Sequence, residues 1–438
     1  MNDFPIRLLD TRDPRFALEL DRLGQWNEDR VADIEATVAD IIQQVRREGD
    51  TALARLTARF DRIDHSRGTL RFDDTEIDQA MGQCDSKDLE ALELAARRIR
   101  DYHVWQMPPM GVHTFVDPHG TTLGQRLRPL DRVGLYVPGG LASYPSSVLM
   151  NAIPARVAGV RELVMTVPTP EGRINPLILA AARIAQVDEI HRIGGAQAIA
   201  ALAFGTATLR PVDKIVGPGN IYVATAKRQV FGHVGIDMIA GPSEILIIAD
   251  GANDPSWLAA DLLSQAEHDA SAQSILITDQ ADVALRVVAA LEDHLATLQR
   301  QEICRKALAD HGAIIIARSL EEACRIASRM APEHLELAVA HPEELIDSID
   351  NAGAIFLGRF TPEPIGDYIA GPNHVLPTSR TARFSSPLGV HEFIKRSSII
   401  GCTRQSLEAI GPAAARLAAA EGLTAHQRSI DIRLKQRP

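Results

Sequence analysis

The sequence predicts an α/β protein of two lobes, each built on a mostly parallel sheet, with an N-terminal helical region and a small C-terminal tail domain. Three observations predict it. Short apolar runs alternate with Ala-rich segments from about residue 130 to about residue 357. Glycine turns follow several of those runs, and the composition is ordinary for a globular chain, with 438 residues, 45% hydrophobic and 24% charged. Strand, helix, strand at this spacing is the βαβ unit, because parallel neighbours need a crossover that is usually helical.

Residues 1–30 form an N-terminal arm. Its start carries no basic segment followed by an apolar run, so no secretory signal is expected. Val31, Ile34, Val38, Ile41, Ile42 and Val45 recur at spacings of three and four, the stripe of an amphipathic helix that stops near Gly49. A second helix is expected from Lys87 to Trp105, carrying Leu89, Leu92, Ala96 and Ile99 and ended by Pro108 and Pro109. Strands are expected at 133–137, 162–167, 189–193 and 214–216, with helices at 146–158, 175–185 and 196–204 between them. A second set of strands is expected at 244–249, 274–278, 313–317 and 354–357, separated by helices from about Pro255, Asp282 and Leu320. Asp254 is placed to cap the first of these, with Pro255 at its first position. The tail ends in a helix at about 412–421. The expected organisation is one lobe of 31–132 plus 243–376, a second of 133–242 and a tail of 377–438.

Charge and composition narrow the function. With 46 basic against 57 acidic residues the net charge is −11, and the basic field of a nucleic-acid binder is missing. No stretch reaches the roughly 18 apolar residues of a membrane span. Cys84, Cys304, Cys324 and Cys402 are scattered without a Cys-x-x-Cys pair. That argues for a reducing compartment, the cytoplasm, and against a thiolate zinc site.

Chemistry-bearing residues gather at strand–loop junctions. Gly139-Gly140, Gly194-Gly-Ala-Gln197 and Gly217-Pro-Gly-Asn220 each follow an expected strand. Turns at the carboxyl ends of parallel strands are where open sheets bind nucleotides. The last opens like a dinucleotide fingerprint, but Tyr222 stands where its third glycine belongs. Gln265 and His268, three apart on the helix capped by Asp254, share a face and could hold a metal. Asp367, His374 and His426 supply further carboxylate and imidazole groups from turn-rich segments. Glu333 and His334 are a carboxylate–imidazole pair for proton transfer near neutral pH, which on adjacent positions needs the irregular backbone that Pro332 favours. Taken singly, each has a plainer reading: tight turns, helix surface decoration, an exposed Glu-His at a helix start.

Together, in order, the segments resemble one family. Gly134-Leu-Tyr-Val-Pro-Gly-Gly140, Gly194-Gly-Ala-Gln-Ala198, Val216-Gly-Pro-Gly-Asn220, Ala240-Gly-Pro-Ser-Glu244, Ser264-Gln-Ala-Glu-His-Asp269, Ala331-Pro-Glu-His-Leu335, Gly371-Pro-Asn-His-Val-Leu-Pro377 and Glu421-Gly-Leu-Thr-Ala-His426 look like the motifs of the histidinol dehydrogenases. The resemblance implies incomplete Rossmann-like lobes and a four-electron oxidation of L-histidinol through L-histidinal to L-histidine, with two NAD reduced and one zinc ion per subunit. It implies Gln265, His268, Asp367 and His426 as zinc ligands that also contact substrate, His426 coming from the other subunit of a homodimer with a swapped C-terminal tail. Tyr136, Gln197 and Asn220 would bind NAD, while Ser243, His334 and Glu421 would hold the substrate. His334 would be the base for the alcohol, Glu333 would activate water for the second oxidation, and His374 is a candidate substrate contact. No cysteine lies in these segments, which excludes a thiohemiacetal route. The rival readings are a dehydrogenase of another small alcohol on the same scaffold, a zinc hydrolase using Glu333 and His268, and a metal-stabilised dimeric scaffold without catalysis.

Overall fold

The computed structural model describes residues 6–24, 31–62, 70–139 and 144–435. The remainder of the arm, His65, Gly140 and the side chain of Val31 lie outside the described residues.

Apolar strands without alternation are the mark of a sheet covered on both faces, and the chain forms two such sheets within one unit, Met1–Gln106 plus Asp131–Glu392. The larger has six parallel strands, in spatial order Arg7–Asp10, Ala313–Ile316, Gln273–Thr278, Glu244–Ala249, His334–Ala338 and Ala354–Leu357. Helices Pro255–Ala266, Ala281–Leu295 and Gln301–His311 share one buried cluster with it, and Leu320–Met330 shares another. The smaller has five parallel strands, ordered Glu189–His191, Glu162–Thr166, Arg132–Tyr136, Lys214–Val216 and Gly235–Ile236.

The second unit, Met107–Leu130 plus Phe393–Pro438, holds an antiparallel sheet of Ile394–Gly401, Thr122–Pro129 and Gly111–Val116. It also holds the mutually packed helices Arg404–Ala420 and Thr424–Lys435.

Several expectations change. The helix Val31–Glu48 buries Val38, Ile41, Ile42 and Val45 with Tyr136, Ile199, Leu202 and Val223, so it packs with the five-stranded sheet rather than with the lobe of 243–376. Arg7–Asp10 in the arm is an edge strand of the six-stranded sheet. Residues 107–130 pair with the tail segment after Phe393 instead of belonging to the first lobe. The strand Gly111–Val116 leaves Val112, Phe115 and Val116 exposed, which hides the in–out alternation that marks a strand. In the tail Pro412 lies inside a 17-residue helix rather than opening a short one, and His426 falls within a further helix instead of following the last.

Candidate active site

Glu333 and His334 stand at the amino-terminal edge of the six-stranded sheet. The helix Leu320–Met330 ends at Ala331, whose φ of 50° is unusual for a residue with a side chain, and Pro332 follows. This irregular turn delivers Glu333 just ahead of the strand and His334 as its first residue. Both are buried, so the pair opens a core strand and not an exposed helix. In the neighbouring strand Glu244 is buried as well. The two glutamates hold each other: Glu333 Oε2 accepts the Glu244 N–H at 2.9 Å, and Glu244 Oε2 accepts the Glu333 N–H at 3.3 Å. Glu244 Oε1 takes a third N–H, from Ser379, at 2.6 Å. Ser243, half-buried, directly precedes this strand.

His334 Nδ1 lies 2.9 Å from the Glu244 carbonyl oxygen. A carbonyl only accepts, so Nδ1 carries a proton in either charge state and Nε2 is the nitrogen that gains or loses one. Nε2 stands 3.5 Å from Asp367 Oδ1 and 3.8 Å from Glu363 Oε1, within reach of charge attraction but too long for a well-formed hydrogen bond. Burial opposes the imidazolium, yet the charges of Glu333, Asp367 and Glu363 outweigh it and push the pKa of His334 up to about 10. Burial lifts Glu333 to about 7 against the pull of His334, and lifts Glu244 to about 8 with Glu333 adding to the effect.

Asp367 sits in the short helix Glu363–Tyr368, not in a loop. Glu363 and Asp367 are four apart and so share a face. The helix is anchored from below by the buried Glu336, whose Oε1 accepts the Glu363 N–H at 2.7 Å. His374 closes it from the other end: its Nδ1 lies 2.8 Å from the Asp367 carbonyl oxygen, and its Nε2 lies 3.3 Å from Ser147 Oγ. Both ring nitrogens of His374 are therefore engaged by protein.

Ligand atoms of His268, Glu363 and Asp367 all lie within 4.8 Å of one another. The helix bearing Gln265 ends at Ala266, so His268 follows it in a turn, its N–H on the Gln265 carbonyl oxygen at 3.2 Å. Gln265 Oε1, Glu363 Oε1 and His334 Nε2 are buried without a hydrogen-bond partner. Burial lowers the pKa of His268 against the charge of Asp367, favouring the neutral imidazole that ligates metals. Unpaired buried acceptors beside clustered carboxylates cost free energy unless a cation completes them, so this donor set fits a divalent ion, and mixed N/O ligation suits zinc. Sequence patterning alone missed Glu363, Glu336 and Glu244; the Glu-x-x-x-Asp spacing of 363 and 367 was the signal available for the first.

Glu421 and His426 belong to the second unit, both exposed, Glu421 capping the helix Arg404–Ala420 and His426 lying in the helix Thr424–Lys435. The metal-suited cluster of the first unit is built without them.

On the five-stranded sheet the carboxyl edge carries the other candidates. Tyr136 ends its strand, buried, and its hydroxyl accepts the Gly195 N–H at 3.1 Å. Burial pushes this phenol up to about 12. Gln197, in the helix Gly195–Phe204, is buried with neither amide atom partnered. Asn220 caps the helix Ile221–Val230, its Oδ1 accepting the N–H groups of Tyr222 and Val223 at 3.1 and 3.2 Å. Its side-chain oxygen is thus taken up by the cap.

Acid–base groups on one parallel sheet and glycine turns with an unpartnered buried amide on another are apportioned as in a two-lobed α/β oxidoreductase. Comparison with known proteins narrows that class. A family model described as histidinol dehydrogenase matches residues 25–434. The chain is 59% identical over 433 residues to the histidinol dehydrogenase of Rhodospirillum rubrum, covering 99% of each. It is 55% identical to that of Pseudomonas aeruginosa, covering 98% of each. A crystal structure of histidinol dehydrogenase from Elizabethkingia anophelis superposes with a TM-score of 0.93 at 35% identity, covering 99% of both chains. The chain belongs to the histidinol dehydrogenase family, oxidoreductases that catalyse the final step of histidine biosynthesis. The hydrolase and non-catalytic scaffold readings fall with that membership. Among the described residues no helix is long and apolar enough to cross a membrane.

Proposed function

We propose that the protein oxidises L-histidinol to L-histidinal and L-histidinal to L-histidine, using two NAD and one zinc ion per subunit, as a cytoplasmic homodimer with exchanged C-terminal tails. The observation that carries this reading is the approach of His268, Glu363 and Asp367 within 4.8 Å, with His334 Nε2 3.5 Å from Asp367.

Gln265, His268 and Asp367 would hold the zinc together with His426 of the partner subunit, and Glu363 adds a carboxylate to the same cluster. When bound, zinc supplies a template for the substrate's imidazole and amino nitrogens, and NAD supplies the hydride acceptor. Ser243 and Glu421 hold the substrate, and Tyr136, Gln197 and Asn220 hold the dinucleotide. The excess carboxylate charge around His334 is what a divalent cation would neutralise, leaving the ring a neutral base. The alcohol proton goes to His334 Nε2, because Nδ1 is fixed on the Glu244 carbonyl. For the second oxidation Glu333, lifted toward neutrality by burial, takes a proton from the water that adds to the aldehyde, with His334 assisting.

The test is NADH formation from L-histidinol and NAD by the purified protein before and after zinc chelation. Two NADH per histidinol, lost on chelation and restored by zinc, is the expected result. No NADH from histidinol with zinc bound and the fold intact overturns the substrate assignment and turns the search to other small alcohols. For the exchanged tail, His426→Ala and His334→Ala, each inactive alone, should regain activity when mixed and reassociated; no regain overturns the exchange.

A further inference from the structure

The turn that carries Asn220 rests on a buried ion pair that the proposed chemistry does not use. Lys227, on the helix that Asn220 caps, has a side chain only 3% exposed, and the Asp237 carboxylate opposite it is fully buried. Their bonds converge on one residue. Lys227 Nζ donates to Asp237 Oδ1 and, at 2.9 Å, to the carbonyl oxygen of Gly217. Asp237 Oδ2 accepts the N–H of the same Gly217 at 2.8 Å. Both polar groups of Gly217 are thus held by one charge pair, and Asp237 is itself tied to the sheet through its N–H on the Ile215 carbonyl oxygen at 3.3 Å.

Gly217 needs such a grip because its backbone is special. Its φ is +111°, and a Cβ there would meet the Tyr136 carbonyl oxygen at 2.1 Å, so no other residue fits. A Cβ on Gly219 would come within 3.2 Å of the Tyr136 ring, whose hydroxyl in turn takes the Gly195 N–H. Tyr136 is therefore wedged among both glycine turns, and fixing Gly217 fixes the position of the ring and of Asn220. A buried ion pair adds little to stability compared with an apolar pair of the same volume, which leaves preorganisation of this turn as what the two charges secure.

We infer that Lys227 and Asp237 are positioning residues for the dinucleotide: by clamping Gly217 they hold Tyr136 and Asn220 in the binding geometry, and they act on NAD affinity and not on the chemical steps. This rests on the reading that Tyr136, Gln197 and Asn220 contact NAD. The experiment uses the zinc-loaded full-length protein and the charge-free double variant Lys227→Met/Asp237→Leu, with Asn220→Ala beside it. Fluorescence titration measures NADH affinity, steady-state kinetics separates KM for NAD from KM for histidinol and from kcat, and chelator competition measures zinc affinity. The double variant is expected to fold, to bind NADH about tenfold more weakly and to raise KM for NAD about as much. Its zinc affinity, KM for histidinol and kcat at saturating NAD should stay within about threefold of the parent. A folded double variant with unchanged NADH affinity overturns the inference while Asn220→Ala still weakens binding. A double variant that does not fold assigns the pair to the fold instead and also overturns it. If Asn220→Ala leaves NADH affinity unchanged, the cofactor reading itself fails, independently of the clamp.

Discussion

The two parallel sheets carry their candidate site residues at opposite edges. The six-stranded sheet presents its candidate chemistry at the amino ends of its strands, through buried charged side chains: Glu244, Glu333 and His334. The five-stranded sheet presents its candidates at the carboxyl ends, through glycine turns, one phenol and two amides. Backbone geometry explains the division. At the start of a parallel strand N–H groups lack partners, and here carboxylates supply them, Glu333 for Glu244 and Glu244 for Glu333, while carboxylates also accept the N–H of Ser379 in a turn and of Glu363 at the start of its short helix. Acids gathered there form a crowded acidic site in which burial raises the pKa of Glu244, Glu333 and Glu363, which suits a cation and proton transfer. At the carboxyl ends the chain turns into new helices whose first N–H groups favour a neutral or anionic ligand.

If this division holds, damage at one edge leaves the other intact. The largest effect is expected for Asp367→Ala: zinc binding and turnover are both lost, with kcat down at least about 10³-fold, while NADH titration stays near parental affinity. Weakened NADH binding in the same variant would break the comparison, and metal analysis with fluorescence titration reads both quantities. Next comes Glu333→Gln, which should slow oxidation of L-histidinal by about 10²-fold or more and oxidation of L-histidinol much less. Single-turnover measurement of each half-reaction separates them; equal loss in both would give Glu333 and His334 one shared role.

The smallest effect concerns stability against pH. Burial and Glu333 keep Glu244 protonated in the folded protein up to about pH 8, whereas its ordinary value is 4.5. Between these values the folded state binds more protons than the unfolded one, so Glu244 makes stability fall as pH rises through that interval. Glu244→Gln removes the group, and its melting temperature should drop less than the parent's between pH 5 and 8, measured without added metal; parallel curves would refute the assignment.

How far the sequence could be read follows the same physics. Strands such as Glu244–Ala249 and Ala354–Leu357 and the helix Ser86–Trp105 follow from apolar runs and periodicity, with end residues close to those expected. The strand His334–Ala338 escaped because its charged residues, His334 and Glu336, are buried, and patterning reads charge as solvent-facing. The helix Glu363–Tyr368 escaped because it is a turn and a half long and contains Pro364 and Gly366. Four residues of the candidate site, Gln265, His268, Glu333 and His334, lay within ordered motifs, as did Glu244, while Asp367 stood out only as a carboxylate in a turn-rich segment. Glu336 and Glu363 lay in none of these motifs, and beyond the Glu-x-x-x-Asp spacing of 363 and 367 nothing local marks Glu244, Glu336 or Glu363 as a glutamate that tertiary packing will bury.

The pairing of Arg7–Asp10 with Ala313–Ile316 also sets a schedule for synthesis. The strands of the five-stranded sheet span only residues 132–236, so that sheet can close while translation continues. The first strand of the other sheet must wait for a partner about 300 residues downstream, roughly 15–60 s at ordinary elongation rates. During that interval the segment lacks its partner strand, and of the two parallel sheets the one that carries the acid cluster is completed later.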